Sequence, residues 1–270
     1  MTTELVRIAV GLAQQAGALV AAGRDQAGGD PAALEVAAKT TPTDVVTAMD
    51  RAAERLLAGE LRRLRPDDAI LGEEGAQAQG SSGVRWLVDP IDGTVNYLYG
   101  LPQYAVSVAA ESGGAVLAGA VHNPASGETF WAGRGTGAWL SVPGRADQRL
   151  VVTGCDRLDL ALVATGFGYD AALRARQAAV VAALLPRVRD IRRLGSAALD
   201  LCFLAAGRLD GYYETSLHPW DYAAGALIAA EAGAVLSGLR GRPLGAAGAA
   251  AAAPGLALAL FGLLEDLGVG

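Results

Sequence analysis

Residues 89 to 94, Asp89-Pro90-Ile91-Asp92-Gly93-Thr94, place two carboxylates three positions apart, with one backbone carbonyl between them. The apolar run Trp86-Leu87-Val88 reads as a buried strand that delivers Asp89 to Pro90, which lacks an N–H and is expected to end the ladder. Asp89, the Ile91 carbonyl and Asp92 are then three hard oxygen donors in one turn. Gly93 and Thr94 follow, one without a side chain and one with a hydroxyl. Such a pair suits the point where a chain enters a helix whose free N–H groups can hold an anion. Cation ligands would adjoin a phosphate cradle. An Asp-x-x-Asp on its own is equally a turn with a helix cap, so the chemical reading depends on the rest of the chain.

Several other residues have suitable chemistry. Glu73 and Glu74 stand between Gly72 and Gly75 as adjacent like charges, which repel unless a cation or solvent intervenes. Alone they read as a solvated acidic turn. Asp50 falls in the first turn of an expected helix, where the dipole would account for it. Asp221, anchored by Trp220, stands just before a small-residue helix start and by itself reads as an N-cap. Glu214 closes the stretch Leu209 to Glu214, and His218, followed by proline, reads as structural. Lys39 is the only lysine. Cys155 and Cys202 are far apart and have no neighbouring His or Cys, so neither a disulfide framework nor a zinc site is expected. Gly133, Gly135 and Gly137 follow a hairpin strand and open no helix, so they are turn glycines rather than a dinucleotide fingerprint.

The elements that must position these residues follow from periodicity. Leu5, Ile8, Leu12, Ala16 and Leu19 predict an amphipathic helix over 3–22, and 23–31 reads as a loop. A second helix, with Ala53, Leu56, Leu57, Leu61 and Leu64 inward, ends near Pro66. A short strand at 69–71 precedes the acidic turn. Alternating stretches at 105–110, 116–122 and 129–132, separated by Gly-containing turns, read as an antiparallel meander. The Pro/Gly/Arg-rich segment 141–150 suggests a boundary between a lobe at 1–148 and a second at 149–270. In the second, strands at 162–165, 190–194 and 209–214 alternate with helices at 171–185, 196–206 and 222–232, which is α/β. The Gly/Ala-rich stretch 241–255 receives no assignment, and 256–267 reads as a final helix. The net charge of −6 argues against a nucleic-acid or anionic-membrane surface. No signal peptide is recognised, and a cytoplasmic protein is expected.

Taken together, Thr47-Ala48-Met49-Asp50, Leu71-Gly72-Glu73-Glu74, Asp89 to Thr94, Arg193-Leu194-Gly195-Ser196-Ala197-Ala198, and Trp220-Asp221 through Glu231-Ala232-Gly233 resemble the inositol monophosphatase family of metal-dependent, lithium-sensitive phosphatases. The resemblance runs from about Lys39 to Gly238. It implies a layered αβαβα sandwich, with a mainly antiparallel first lobe and an α/β second lobe. It also implies two Mg²⁺ ions: Glu73, Asp89 and the Ile91 carbonyl on one, with Asp89 bridging to a second completed by Asp92 and Asp221. Oxygen ligands are what Mg²⁺ prefers. Glu73, Thr94 and Asp50 would be catalytic, orienting and deprotonating a water. Gly93 and Thr94 would hold the phosphate. Ile91, Asp92 and Asp221 would border the substrate, and Gly195, Ser196, Ala197 and Glu214 would line its alcohol. Lys39 matches a family lysine near the site. The expected reaction is hydrolysis of inositol 1-phosphate, because Tyr213-Glu214 and Gly195-Ser196-Ala197 match the inositol-type pattern. Histidinol phosphate, fructose bisphosphate and phosphoadenosine phosphate are the alternatives within the same superfamily. Outside enzymology, some relatives bind transcription machinery. A homodimer is implied by the resemblance alone.

Overall fold

The structure is a computed structural model and describes residues 2–28, 30–245 and 247–269. The expected apolar stripe produces α1 (Thr2–Gln26), with Leu5, Ile8, Leu12 and Ala16 buried. This helix extends past residue 22 into the expected loop, of which Gly29 lies outside the described residues. By length and composition α1 could cross a membrane, but its stripe is packed into the core of the first lobe. A hairpin, β1 (Ala37–Ala38) and β2 (Val45–Val46), carries the Lys39 turn and leads into α2 (Ala48–Leu64). Thr47 starts α2 with a reciprocal cap: its hydroxyl accepts from the Asp50 N–H, and the Asp50 carboxylate accepts from the Thr47 N–H.

The helices α1 and α2 cover one face of an eight-stranded sheet. Its strands are β3 (Ala69–Gly72), β4 (Gln77–Ala78), β5 (Val84–Asp92), β6 (Ala105–Ser112), β7 (Ala115–Asn123), β8 (Glu128–Gly133), β9 (Ala138–Ser141) and β10 (Gln148–Arg149). The order is β10-β9-β8-β7-β6-β5-β3-β4, and only β3 and β5 pair in parallel. The expected meander is β6 to β8. The segment expected to divide the lobes holds β10, so the first sheet runs through Arg149. Between β5 and β6 lies the short helix α3 (Thr94–Tyr99).

The second lobe contains β11 (Leu162–Thr165), α4 (Ala171–Leu184), β12 (Asp190–Arg192), α5 (Ala197–Ala205), β13 (Gly211–Glu214), α6 (Pro219–Glu231), β14 (Val235–Ser237), β15 (Ala249–Ala252) and α7 (Pro254–Asp266). Its sheet order is β12-β11-β13-β15-β14, parallel through β13 and antiparallel beyond it. The stretch left without assignment therefore contains an interior strand; Ala246 within it lies outside the described residues. All four alanines of β15 are fully buried. Ala250 and Ala252 pack in the core that includes α7, and Ala249 and Ala251 in the core that includes α5.

The helices α5 and α6 form the middle layer. Ala198, Leu199, Ala224 and Ile228 pack against Leu87, Val121 and Phe130 of the first sheet. Leu201, Leu204, Ala226 and Ala229 face Tyr212 and Ala251 of the second. Close approach requires a glycine: a Cβ on Gly119 would lie 2.9 Å from the Ala224 Cα. The result is the five-layer αβαβα sandwich.

Candidate active site

Pro90 does not end its strand. β5 continues to Asp92, and its pairing with β6 slips between Asp89↔Ser107 and Asp92↔Ala105, so three steps on β5 match two on β6. This is a bulge, placed where proline has no N–H to give the ladder. In a regular strand residues three apart point to opposite faces. The extra residue cancels that, and Asp89 and Asp92 line the same cleft of about 620 Å³. Gly93 then turns the chain at φ +94°. A Cβ there would stand 2.8 Å from the Gln103 carbonyl and 3.0 Å from the Gly195 carbonyl, so only glycine lets the two lobes meet at this point.

Thr94 follows, 7% exposed. Its Oγ lies 3.0 Å from Asp50 Oδ1 and 3.0 Å from the Ile91 carbonyl. Asp50 is held by its other oxygen, which accepts from the Thr47 N–H at 2.8 Å and the Thr47 hydroxyl at 2.5 Å. Four residues along the same face of α2, buried Glu54 reaches the acidic turn: its carboxylate accepts from the Glu74 and Ala76 N–H groups, both at 2.7 Å. Lys39 supplies the cation that the adjacent glutamates need, donating to Glu73 Oε1 at 2.8 Å and also to Glu74.

From the second lobe, Asp221 enters at the third position of α6 rather than ahead of it. Pro219 opens the helix, and Asp221 Oδ2 accepts the His218 N–H at 2.7 Å. The His218 ring stacks on Trp220 with centroids 4.9 Å apart. Ser196 is buried and does not line the cleft. Its hydroxyl donates to Asp92 Oδ2 at 2.6 Å, and the Ala198 N–H donates to the same oxygen at 2.7 Å. Gly195, Ala197 and Glu214 do border the cleft. Glu214 Oε2 accepts from the Tyr212 hydroxyl at 3.0 Å, and Gly166 leaves the space its carboxylate fills.

Asp89 Oδ1 accepts the Ile91 N–H at 3.0 Å while the Asp89 carboxyl also meets that of Glu73, and Asp92 and Asp221 each accept through Oδ2. Carboxylate oxygens are the donors a hard cation takes. Electrostatics point the same way. Burial, then the charges of Glu73, Asp92 and Asp221, hold the Asp89 carboxyl well above its ordinary range. Burial raises Asp92 to about 6 against the bonds from Ser196 and Ala198, and raises Asp221 with help from the Asp92 charge. Asp50 is raised by burial despite its bonds to Thr47 and Thr94. Glu74 and Glu214 are each pushed by burial to about 7. Burial opposes the charge on Lys39, but Glu73 and Glu74 together outweigh it and raise that group. Clustered buried carboxylates are costly unless protonated or matched by positive charge. Among the described residues no three acidic, histidine or cysteine side chains are yet gathered tightly enough to hold an ion. The donor set itself, buried carboxylate oxygens beside a backbone carbonyl with no thiolate or imidazole among them, fits a hard cation.

Three contributors, Asn96, Phe167 and Tyr169, carry no motif signal. Asn96 donates to the Gln103 carbonyl at 2.6 Å and the Leu194 carbonyl at 2.7 Å, tying the α3 turn to the loop before α5. Phe167 and Tyr169 line the cleft, and the Arg193 guanidinium sits 5.8 Å from the centre of the Phe167 ring.

The model of the inositol monophosphatase family matches residues 1–265. An inositol-1-monophosphatase of Mycobacterium bovis is 52% identical over 237 residues, covering 85% of this chain and 81% of that one. A protein of Escherichia coli named Nus factor SuhB is 38% identical over 243 residues, covering 88% and 86%. Among solved structures, Mycobacterium tuberculosis SuhB superposes with a TM-score of 0.84 at 44% identity, covering 99% of this chain and 98% of that chain. The inositol monophosphatase of Thermotoga maritima gives 0.82 at 31%, covering 96% and 95%.

Proposed function

The chain belongs to the inositol monophosphatase family, and from that premise we propose that it uses Mg²⁺ and water to hydrolyse inositol 1-phosphate to inositol and phosphate. It is a phosphatase. The observation that best supports the metal reading is the convergence of Glu73, Asp89, Asp92 and Asp221 on one cleft beside the Gly93-Thr94 turn. Glu73, Asp89, the Ile91 carbonyl, Asp92 and Asp221 would hold the metal. Magnesium, when bound, supplies the Lewis acidity that lowers the pKa of water and offsets charge on a leaving oxygen.

The remaining work falls to the chain itself. The N–H groups of Gly93 and Thr94 hold the phosphate oxygens. Glu73 and Thr94 orient the attacking water in line with the leaving alcohol. Thr94 Oγ accepts the water's proton as its own passes to Asp50 Oδ1, 3.0 Å away. Asp221 serves the leaving-oxygen side. Gly195, Ala197 and Glu214 face the inositol hydroxyls, which can donate to the glutamate. Ser196 acts indirectly, by fixing Asp92.

Phosphate release from a panel of phosphomonoesters, with Mg²⁺ and with chelator, tests the proposal. Inositol 1-phosphate should be the best substrate, release should stop in chelator, and Li⁺ should inhibit. Preference for histidinol phosphate by about tenfold overturns the substrate. The relative named Nus factor SuhB supports a second reading, binding to transcription machinery. Absence of release from every ester would favour it. A homodimer in the cytoplasm completes the proposal, with the dimer checked by sedimentation equilibrium.

A further inference from the structure

We propose that Glu54 is a positioning residue for the metal site, setting the place of Glu73 through the backbone of its turn. The inference rests on the reading of Glu73 as a metal ligand. Glu54 is 4% exposed, and the bonds its carboxylate makes are to backbone N–H groups. Its two oxygens accept from two backbone groups, Oε2 from the Glu74 N–H and Oε1 from the Ala76 N–H, both at 2.7 Å. These amides follow Glu73 in the turn, while the Glu73 N–H itself donates to the Val88 carbonyl at 3.2 Å, one residue before Asp89. The turn is therefore pinned on one side to the strand that bears Asp89 and on the other to α2.

The room for this clamp comes from Gly72, where a Cβ would collide with the Glu54 carboxylate. The glycine next to Glu73 thus has a specific reason: it admits a carboxylate from another element. Gly75, at φ +104°, carries the chain between the two clamped amides.

Glu54 lies four residues after Asp50, a spacing that puts both on one face of α2. Asp50 fixes the Thr94 hydroxyl, and Glu54 fixes the Glu73 turn. One rigid helix thus spaces the two groups that must share the attacking water. A neutral amide at position 54 has only one acceptor oxygen for the two N–H groups, and its NH₂ would face the other donor.

The test uses the whole chain stripped of metal. Titration calorimetry with Mg²⁺ alone should show about tenfold weaker binding in Glu54→Gln, the lower end for residues that orient a metal ligand. Glu54→Asp, which keeps the charge but cannot reach both amides, should weaken binding similarly. At saturating Mg²⁺ the KM for inositol 1-phosphate should stay near the parent value, which a general loosening of the fold would not spare. Hydrogen exchange of the unaltered protein should show the Glu74 and Ala76 amides protected, and Glu54→Gln should release them. Exchange of those amides at unprotected loop rates in the unaltered protein overturns the proposal without any variant. Parent-like metal affinity in a folded Glu54→Gln also overturns it. Glu73→Gln separates the two readings. If it leaves Mg²⁺ binding unchanged, the metal assignment of Glu73 fails; if it weakens binding while Glu54→Gln does not, only the positioning role fails.

Discussion

If Asp92 holds a metal as proposed, its carboxylate should not tolerate exchange for the amide. Its Oδ2 is occupied by the Ser196 hydroxyl and the Ala198 N–H. In Asp92→Asn the carbonyl oxygen must stay with those donors, so the NH₂ group would face the cation, and a donor cannot ligate. Loss of several kcal/mol of transition-state stabilisation is expected, a fall in kcat/KM of about a hundredfold or more. Folding should survive, since the shape is kept; circular dichroism and phosphate release check both. Near-parent turnover in a folded variant would remove Asp92 from the site. Glu214 argues for specificity instead. It is held by Tyr212 through one oxygen and borders the cleft. Glu214→Ala should reduce kcat/KM for inositol 1-phosphate by roughly 1.5–3 kcal/mol, the range for hydrogen bonds to charged groups. An aryl phosphate lacking those hydroxyls should lose far less. Equal losses would mean that Glu214 supports the metals.

Among the elements, those with a strong period were legible in the sequence. The α1 stripe and the β6 to β8 alternation form as the spacing dictates, and so does the α2 face except that Leu64, in its last turn, is exposed and Leu56 only half-buried. The site motifs were legible as residue types, but their geometry was not. The sequence shows that Pro90 interrupts a ladder, not that the strand resumes in a bulge two residues later. Ser196 looks like a cleft residue until its hydroxyl is found on Asp92. Glu54 and Asn96 act through backbone groups far away in the chain, and no local pattern announces such bonds. The strand β15 was hidden for a different reason. Alanine has little strand preference, and Ala249–Ala252 is a strand because small side chains fit between two packed helical layers. Enlarging one should overpack that space. Ala250→Leu is expected to destabilise by about 1–3 kcal/mol, read as a lower urea midpoint at unchanged slope. A neutral result would mean that the strand has room the structure does not show.

For the whole molecule, the raised carboxyls make stability depend on pH. Asp92 titrates near 6, and Glu74 and Glu214 near 7, all above their ordinary values of 3.8 and 4.5. Between roughly pH 4 and 7 the metal-free native state therefore binds more protons than the unfolded chain, and its stability must fall as pH rises through that window. Calorimetry in chelator should show Tm declining from pH 5 to pH 8. Saturating Mg²⁺ should flatten the decline, because a ligand bound only by the folded, deprotonated state adds stability. A constant Tm in chelator across that range would show that the acids are not coupled to folding.

The proposed ligand set is spread from Glu73 to Asp221, and the sheet beneath Glu214 needs β15, which pairs antiparallel with β13. An amino-terminal fragment that stops short of β15 is therefore expected to release no phosphate. During synthesis, turnover should arise only after the ribosome has released residues well beyond 252. Phosphate release then reports that the last strand has been inserted, so a nascent or truncated chain is silent even with Glu73, Asp89, Asp92 and Asp221 all present.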